Sequence, residues 1–187
     1  MLLVLAGRTA SGKSSLASAV GERLGFRVAG FGQYVRSLVP EASAGEAARS
    51  QLQAKGHATV QRNPATFASE FLKWAGYNAG EGLIADGLRH IAIWDVLKNI
   101  LIPQKDPIGL VFVAIGDAVR VNRLRARGLS DADIAAIEQH PSERDVLFGL
   151  QALAGLSVDG ASSVEDNAER VLSTFDWLRP SDSKGAL

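Results

Sequence analysis

The sequence predicts a three-layer α/β fold, a five-stranded parallel sheet with helices on both faces. Three observations predict it: an opening run apolar at every position (Leu2-Leu3-Val4-Leu5), a glycine-rich turn joining that run to a helical pattern, and short apolar runs alternating with helical patterns five times over 187 residues. A strand with no polar face must be covered on both sides, as parallel strands are. Alternation of strand and helix builds βαβ units with helices on both faces of one sheet.

The elements follow in order. Leu2 to Leu5 is the first strand, the helical pattern from Ser14 to Leu24 stops at Gly25, and a second short strand covers residues 27–31. From Gln33 to Gly80 the chain reads as helices in pieces, broken at Pro40, over Ala42-Ser43-Ala44-Gly45 and at Asn63-Pro64, because the residue before a proline is steered away from helical geometry. Phe67, Phe71, Leu72 and Trp74 fall near one helical face and are expected in the core, with Trp94 and Trp177. Leu83-Ile84-Ala85 is a third strand ending in an Asp86-Gly87 turn, and residues 91–100 form the helix after it. Leu110 to Ile115 is a fourth strand, residues 117–127 and 131–140 are two helices parted by Gly128, and Leu156-Ser157-Val158 is the last strand before a helix over 164–178. Asp117 reads as a helix cap.

Composition narrows the function. At 47% apolar and 21% charged residues the chain is of ordinary globular type, and its length fits one domain over residues 1–180 with a loose polar tail over 181–187. Twenty basic residues balance twenty acidic ones, which argues against a broad nucleic-acid or membrane-binding surface and confines any anion site to one locality. Cysteine is absent, so there is no disulfide framework or thiol nucleophile. No basic leader precedes the opening run and no stretch reaches the roughly 20 apolar residues of a membrane span; a cytoplasmic protein is expected.

Gly7-Arg8-Thr9-Ala10-Ser11-Gly12-Lys13-Ser14, with Ser15 after it, matches G-x-x-x-x-G-K-[ST] and sits between a strand and a helix, as phosphate binding requires. The glycines let backbone N–H groups converge on phosphate oxygens and the helix adds its positive end. Lys13 neutralises β and γ phosphates, and the Ser14 hydroxyl is placed for Mg²⁺. Asp86, at a strand end, is expected in the Mg²⁺ shell beside this loop. Arg120, Arg123 and Arg127 stand at i, i+3 and i+7, so one helix face would present them to a transferring phosphoryl group. Arg36, after the second strand, and Arg89, three residues past Asp86, are candidates for an acceptor phosphate. His57, His90 and His140 are far apart and lack metal-ligand spacing, so no metal site is expected of them.

This ordered set, over about residues 1–178, resembles the P-loop nucleoside monophosphate kinases, a group that includes adenylate kinases, dephospho-coenzyme A kinases and phage-type deoxynucleoside monophosphate kinases. Gly7 to Ser14 resembles their phosphate loop, Phe31-Gly32-Gln33-Tyr34-Val35-Arg36 their acceptor-arginine segment, Asp86-Gly87-Leu88-Arg89 their Asp-Gly…Arg segment, and Arg120, Arg123 and Arg127 the arginines of a short lid. The resemblance implies a P-loop NTPase fold using ATP and Mg²⁺, an acceptor-binding helical insertion over residues 33–80 with Arg49, Gln53 and Arg62 as further contacts, and a lid over 117–140. It also implies a small-molecule partner, a (deoxy)nucleoside monophosphate, and a monomer or homodimer. Gln33 stands where many members carry Asp, and Arg89 is one residue closer to the acidic residue than in adenylate kinases. Two alternatives stay open: a hydroxyl acceptor, with Asp86 as the base, and a nucleotide-switched regulatory ATPase.

Overall fold

The computed structural model describes residues 1–38, 54 and 56–178. Five strands, β1 (Leu2–Ala6), β2 (Arg27–Gly30), β3 (Leu83–Leu88), β4 (Ile108–Ala114) and β5 (Leu156–Asp159), form one parallel sheet in the order β2-β3-β1-β4-β5. β1 is central, with Leu3 opposite Ile84 on one side and Gly109 on the other. Alternation along this fully buried strand divides the protein into two cores. Leu2, Val4 and Ala6 face one side and pack with α2 (Phe31–Ser37), α3 (Pro64–Trp74) and α4 (Ile91–Leu101). Leu3 and Leu5 face the other and pack with α1 (Lys13–Leu24) and the last helix, α7 (Val164–Thr174). The expected three-layer P-loop NTPase architecture is the observed one.

Several boundaries differ from expectation for physical reasons. Phe31 opens α2 instead of closing β2: the Gln33 side chain accepts the Gly30 N–H at 3.2 Å and starts the helix there. β3 does not end before Asp86 but runs on to Leu88. Opposite β1, Leu5 pairs with Asp86 and Ala6 with Leu88, so Gly87, at φ +89°, is the extra residue of a bulge. Trp74 is 42% exposed and not a core residue, since the buried face of α3 runs through Phe67, Ala68, Phe71, Leu72 and Ala75, one step away. Trp94 is buried as expected, and Trp177 half-buried against Phe175. Residues 141–153, for which no element was expected, continue helically through a wide π-helical turn, Asp145–Leu150. The 181–187 tail lies outside the described residues. Among the described residues, no helix is long and apolar enough to cross a membrane.

A smaller cluster joins the pair α5 (Asp117–Ala126) and α6 (Asp131–Gln139) to the rest. Leu124, Leu129, Ile134 and Ile137 bury against Ala10 of the glycine-rich turn. The segment expected to be a lid is therefore packed on that turn. β5 approaches it too. A Cβ on Gly160, just past β5, would overlap the Ser11 carbonyl and stand 3.0 Å from that of Ala114, so only glycine fits. At the opposite end of the sheet, Asp106 accepts hydrogen bonds from the Tyr77 hydroxyl at 2.6 Å and the Gly80 N–H at 3.0 Å, fixing the loop before β3 to the approach to β4.

Two outcomes are expected. Gly160→Ala, overpacking against fixed backbone by about 1–3 kcal/mol, should lower the melting temperature and distort the Ser11 region; a variant that melts and binds anions like wild type would show that the close approach is unimportant. Burial raises the Asp106 carboxyl, but the Tyr77 and Gly80 bonds and the Met1 ammonium outweigh it and hold its pKa below the ordinary value. Its contribution is thus complete above the unfolded carboxyl pKa and lost as pH falls through the lower folded one. Urea unfolding of Asp106→Asn should accordingly show a shallower loss of stability below about pH 4 than wild type.

Candidate active site

The glycine-rich turn leaves β1 and enters α1 at the carboxyl edge of the sheet, where doubly wound folds bind ligands. Gly7 (φ +149°) and Gly12 (φ +98°) take conformations that L side chains avoid, and a Cβ on Gly7 would stand 2.6 Å from the Val113 carbonyl. Ala10 shares the left-handed region at φ +66°. The turn thus curls under strain that its packing maintains.

Lys13, first residue of α1, donates to the Arg8 carbonyl at 3.3 Å across the mouth of the turn. Burial, followed by the charge of Arg89, lowers its pKa to about 8, while Asp86 and Glu143 act in the opposite direction. The next residue, Ser14, donates from Oγ to Asp86 Oδ2 at 2.6 Å. Asp86 Oδ1 is buried with no hydrogen-bond partner among the described residues. A serine hydroxyl beside a carboxylate with a spare oxygen is a donor set suited to a hard divalent cation, so these residues fit the expected Mg²⁺. Ser15 lies in the exposed first turn of α1.

A cavity of about 600 Å³ opens from this point between α2, the 56–60 segment, α3 and the β3–α4 corner. Lys13, Ser14, Asp86 and Arg89 line one part of it; Phe31, Val60, Phe67 and Ile93 make an apolar wall; Arg36, His57 and His90 complete the rim. Arg36 is exposed and makes no ion pair among the described residues. Arg62 is exposed and is not among the described residues lining the cavity. Arg49 and Gln53 lie outside the described residues.

The other arginines sit in distinct surroundings. Arg89 lines the cavity, but its fork is engaged with Glu143 Oε1 and, at 2.8 Å, with Thr9 Oγ1. Arg8 pairs with Asp117 and lies 3.6 Å from Glu138 and 3.7 Å from Glu143. Arg120 is fully buried and pairs with Glu138, with Asp117 at 3.7 Å, so it is not presented on an open face with its neighbours. Arg123 spans the turn and β5, donating to the carbonyls of Ala10 (3.3 Å), Ser11 (3.4 Å) and Gly160 (2.8 Å). Arg127 is exposed at the end of α5, close enough to lower the Lys13 pKa further. Asp117 does not cap α5, whose cap is Gly116; it serves as an ion-pair partner at the first turn.

Two features escaped the sequence. Glu143 is 1% exposed and meets Arg8, Thr9 and Arg89 at once, although it follows Pro141 in a stretch without motif or clear periodicity. The three histidines, apart in sequence, come together: the His57 ring lies 5.1 Å from that of His90 and 5.7 Å from that of His140. Burial, then the charges of His57 and Arg89, lowers the His140 pKa, with Glu143 opposing. No group of three or more His, Asp or Glu among the described residues is arranged to hold a metal ion.

Comparison with known proteins places this geometry. Shikimate kinase from Acinetobacter baumannii, solved with shikimate, superposes with a TM-score of 0.64 at 12% identity, covering 96% of this chain and 95% of the other. Shikimate kinase from Aquifex aeolicus gives 0.55 at 18% identity over 95% and 97%, and APS kinase from Mycobacterium tuberculosis, in complex with AMPPNP and APS, gives 0.54 at 14% over 94% and 96%. At these identities the likeness is one of fold. No curated protein matches the sequence. A family model described as an AAA domain matches residues 3–145, which hold all of β1 but Leu2, the glycine-rich turn, β2 to β4 and Glu143, and the chain belongs to that AAA domain family.

Proposed function

We propose that this protein is an ATP-dependent kinase that transfers the γ-phosphoryl group to a small phosphorylated acceptor, a nucleoside or deoxynucleoside monophosphate. One observation carries the reading: the reactive end of the phosphate loop, Lys13 and Ser14, opens directly into a cavity of about 600 Å³, a size suited to a small molecule. Lys13 and the loop N–H groups would hold the donor's β and γ phosphates, and Ser14 and Asp86 would hold Mg²⁺. That ion supplies neutralisation of phosphate charge. Arg36, without an ion-pair partner among the described residues at the cavity rim, would hold the acceptor phosphate, and the Phe31 and Phe67 rings, 6.3 Å apart and within 14° of parallel, offer an apolar wall to a base.

The acceptor's chemistry is argued from what the cavity lacks. Asp86 is the one carboxylate among the described lining residues, and it is bonded to Ser14, while Gln33 is occupied at the start of α2. An acceptor phosphate is already an anion near neutral pH and needs no base to attack the γ-phosphorus. Its oxygen forms the new P–O bond as the bond to the β-phosphate oxygen breaks and ADP leaves. The unpartnered Oδ1 of Asp86 favours a second reading, a hydroxyl acceptor whose proton this oxygen takes. The named kinases among the solved neighbours support the phosphotransferase class in either case.

Incubation with ATP and Mg²⁺ against a panel of nucleoside and deoxynucleoside monophosphates, dephospho-coenzyme A and shikimate, read by ADP release and product mass, decides among these. Turnover with a monophosphate, abolished in Lys13→Ala, is the expected result; turnover with an alcohol alone selects the second reading, and slow hydrolysis that no acceptor accelerates selects a nucleotide-switched ATPase. Asp86→Asn is expected to lower kcat/KM by about 10- to 100-fold, with partial recovery at high Mg²⁺. A loss that Mg²⁺ leaves untouched would indicate a base, and full activity would remove both roles.

A further inference from the structure

We propose that Glu143 is a positioning residue of the active site, holding the Arg89 guanidinium against Thr9 so that it faces the donor's γ-phosphate. The inference rests on the nucleotide-binding reading above. Glu143 arrives from the chain after α6, outside every motif of the phosphate loop, and is 1% exposed. Its Oε1 takes one arm of Arg89, while the other arm donates to Thr9 Oγ1 at 2.8 Å; the Thr9 hydroxyl itself lies 3.5 Å from Oε1. Carboxylate, guanidinium and loop hydroxyl thus close a three-membered circuit beside Lys13. Arg8 Nε stands 3.7 Å from Oε2, which has no hydrogen-bond partner among the described residues.

This arrangement is more than a surface ion pair. A guanidinium on a flexible stem loses much conformational freedom when it first binds phosphate, and a buried carboxylate that fixes one arm removes that cost beforehand. Thr9 belongs to the loop that would wrap the phosphates, and Arg89 also lines the acceptor cavity. The held guanidinium therefore stands at the boundary between the two halves of the site, where the transferring group lies. The alternative is that Glu143 competes with phosphate for Arg89. The two differ in sign: a competitor, once removed, leaves the nucleotide bound more tightly, whereas a positioning residue, once removed, leaves it bound more weakly.

Calorimetric titration of the whole protein with ADP and with AMPPNP, each with Mg²⁺, separates the cases without requiring an acceptor. Arg89→Ala should weaken AMPPNP about tenfold and ADP by less than about threefold. Glu143→Gln, close to isosteric, should weaken AMPPNP in the same selective way, and the double variant should be no worse than Arg89→Ala, as expected of groups acting as one unit. Arg89→Lys, which keeps the charge but not the fork, should behave like Arg89→Ala and serves if Glu143→Gln fails to fold. Tighter AMPPNP binding by Glu143→Gln, equal losses for the two nucleotides, or additive losses in the double variant would each overturn the assignment. Wild-type protein that binds neither nucleotide would overturn this inference together with the functional reading. Wild-type protein that binds both but phosphorylates no acceptor would count against the kinase alone, and the selectivity ratios would still decide the role of Glu143.

Discussion

Concentrating cations in a protein with no net charge requires carboxylates brought to the same place. Lys13, Arg8, Arg89, Arg120 and Arg123 all gather about one tight backbone loop, and burial alone would drive such a group apart or deprotonate its lysine. Asp86, Asp117, Glu138 and Glu143 answer that charge from four different positions in the chain. The rest of the ligand end follows from this balance. α5 and α6 lie against the loop because Arg8 and Arg120 are paired with Asp117 and Glu138 as well as because Leu124, Leu129, Ile134 and Ile137 bury on Ala10. Pairing a buried guanidinium with a carboxylate adds little net stability, but losing the carboxylate leaves the buried charge stranded, so the network specifies an arrangement more than it strengthens the fold.

The cavity beside the loop is neutralised less completely. Lys13, Arg36 and Arg89 line it with Asp86 as the single carboxylate among its described lining residues; Arg89 is answered by Glu143, while Arg36 makes no ion pair among the described residues. Such a local cation in an otherwise neutral protein favours anions at one mouth without making the whole surface adhesive.

How much of this was legible in the residues divides along the range of the interactions. The apolar run at β1, the glycine-rich turn and the helix after it are local patterns, and each reads directly because its cause lies within a dozen residues. The closeness of Ser14 and Asp86 was legible for the same reason: one belongs to the motif and the other sits near the end of an apolar run. The bulge at Gly87 was not, since Asp-Gly is equally a turn, and only pairing with Leu5 and Ala6 shows that the strand continues beyond it. Arg120 misled because helical periodicity tells which residues share a face but not whether that face meets solvent or a glutamate from the next helix. Glu143 and the histidine cluster depend on contacts between residues more than 30 apart in the chain, such as His57 with His90 and Arg89 with Glu143, and a single sequence carries no local sign of them.

The place of β1 in the sheet has a consequence during synthesis. Its two neighbours, β3 and β4, begin at Leu83 and Ile108, while β1 itself begins at Leu2. As the chain emerges from the ribosome, a strand apolar on both faces must therefore wait with both hydrogen-bonding edges open until β3 has been made, and with one edge open until β4 follows. Pairing this distant in sequence slows folding and leaves unpaired edges exposed to other chains. The same central position that lets β1 carry the phosphate loop into the middle of the protein makes the nascent chain dependent on protection until β4 has cleared the exit tunnel.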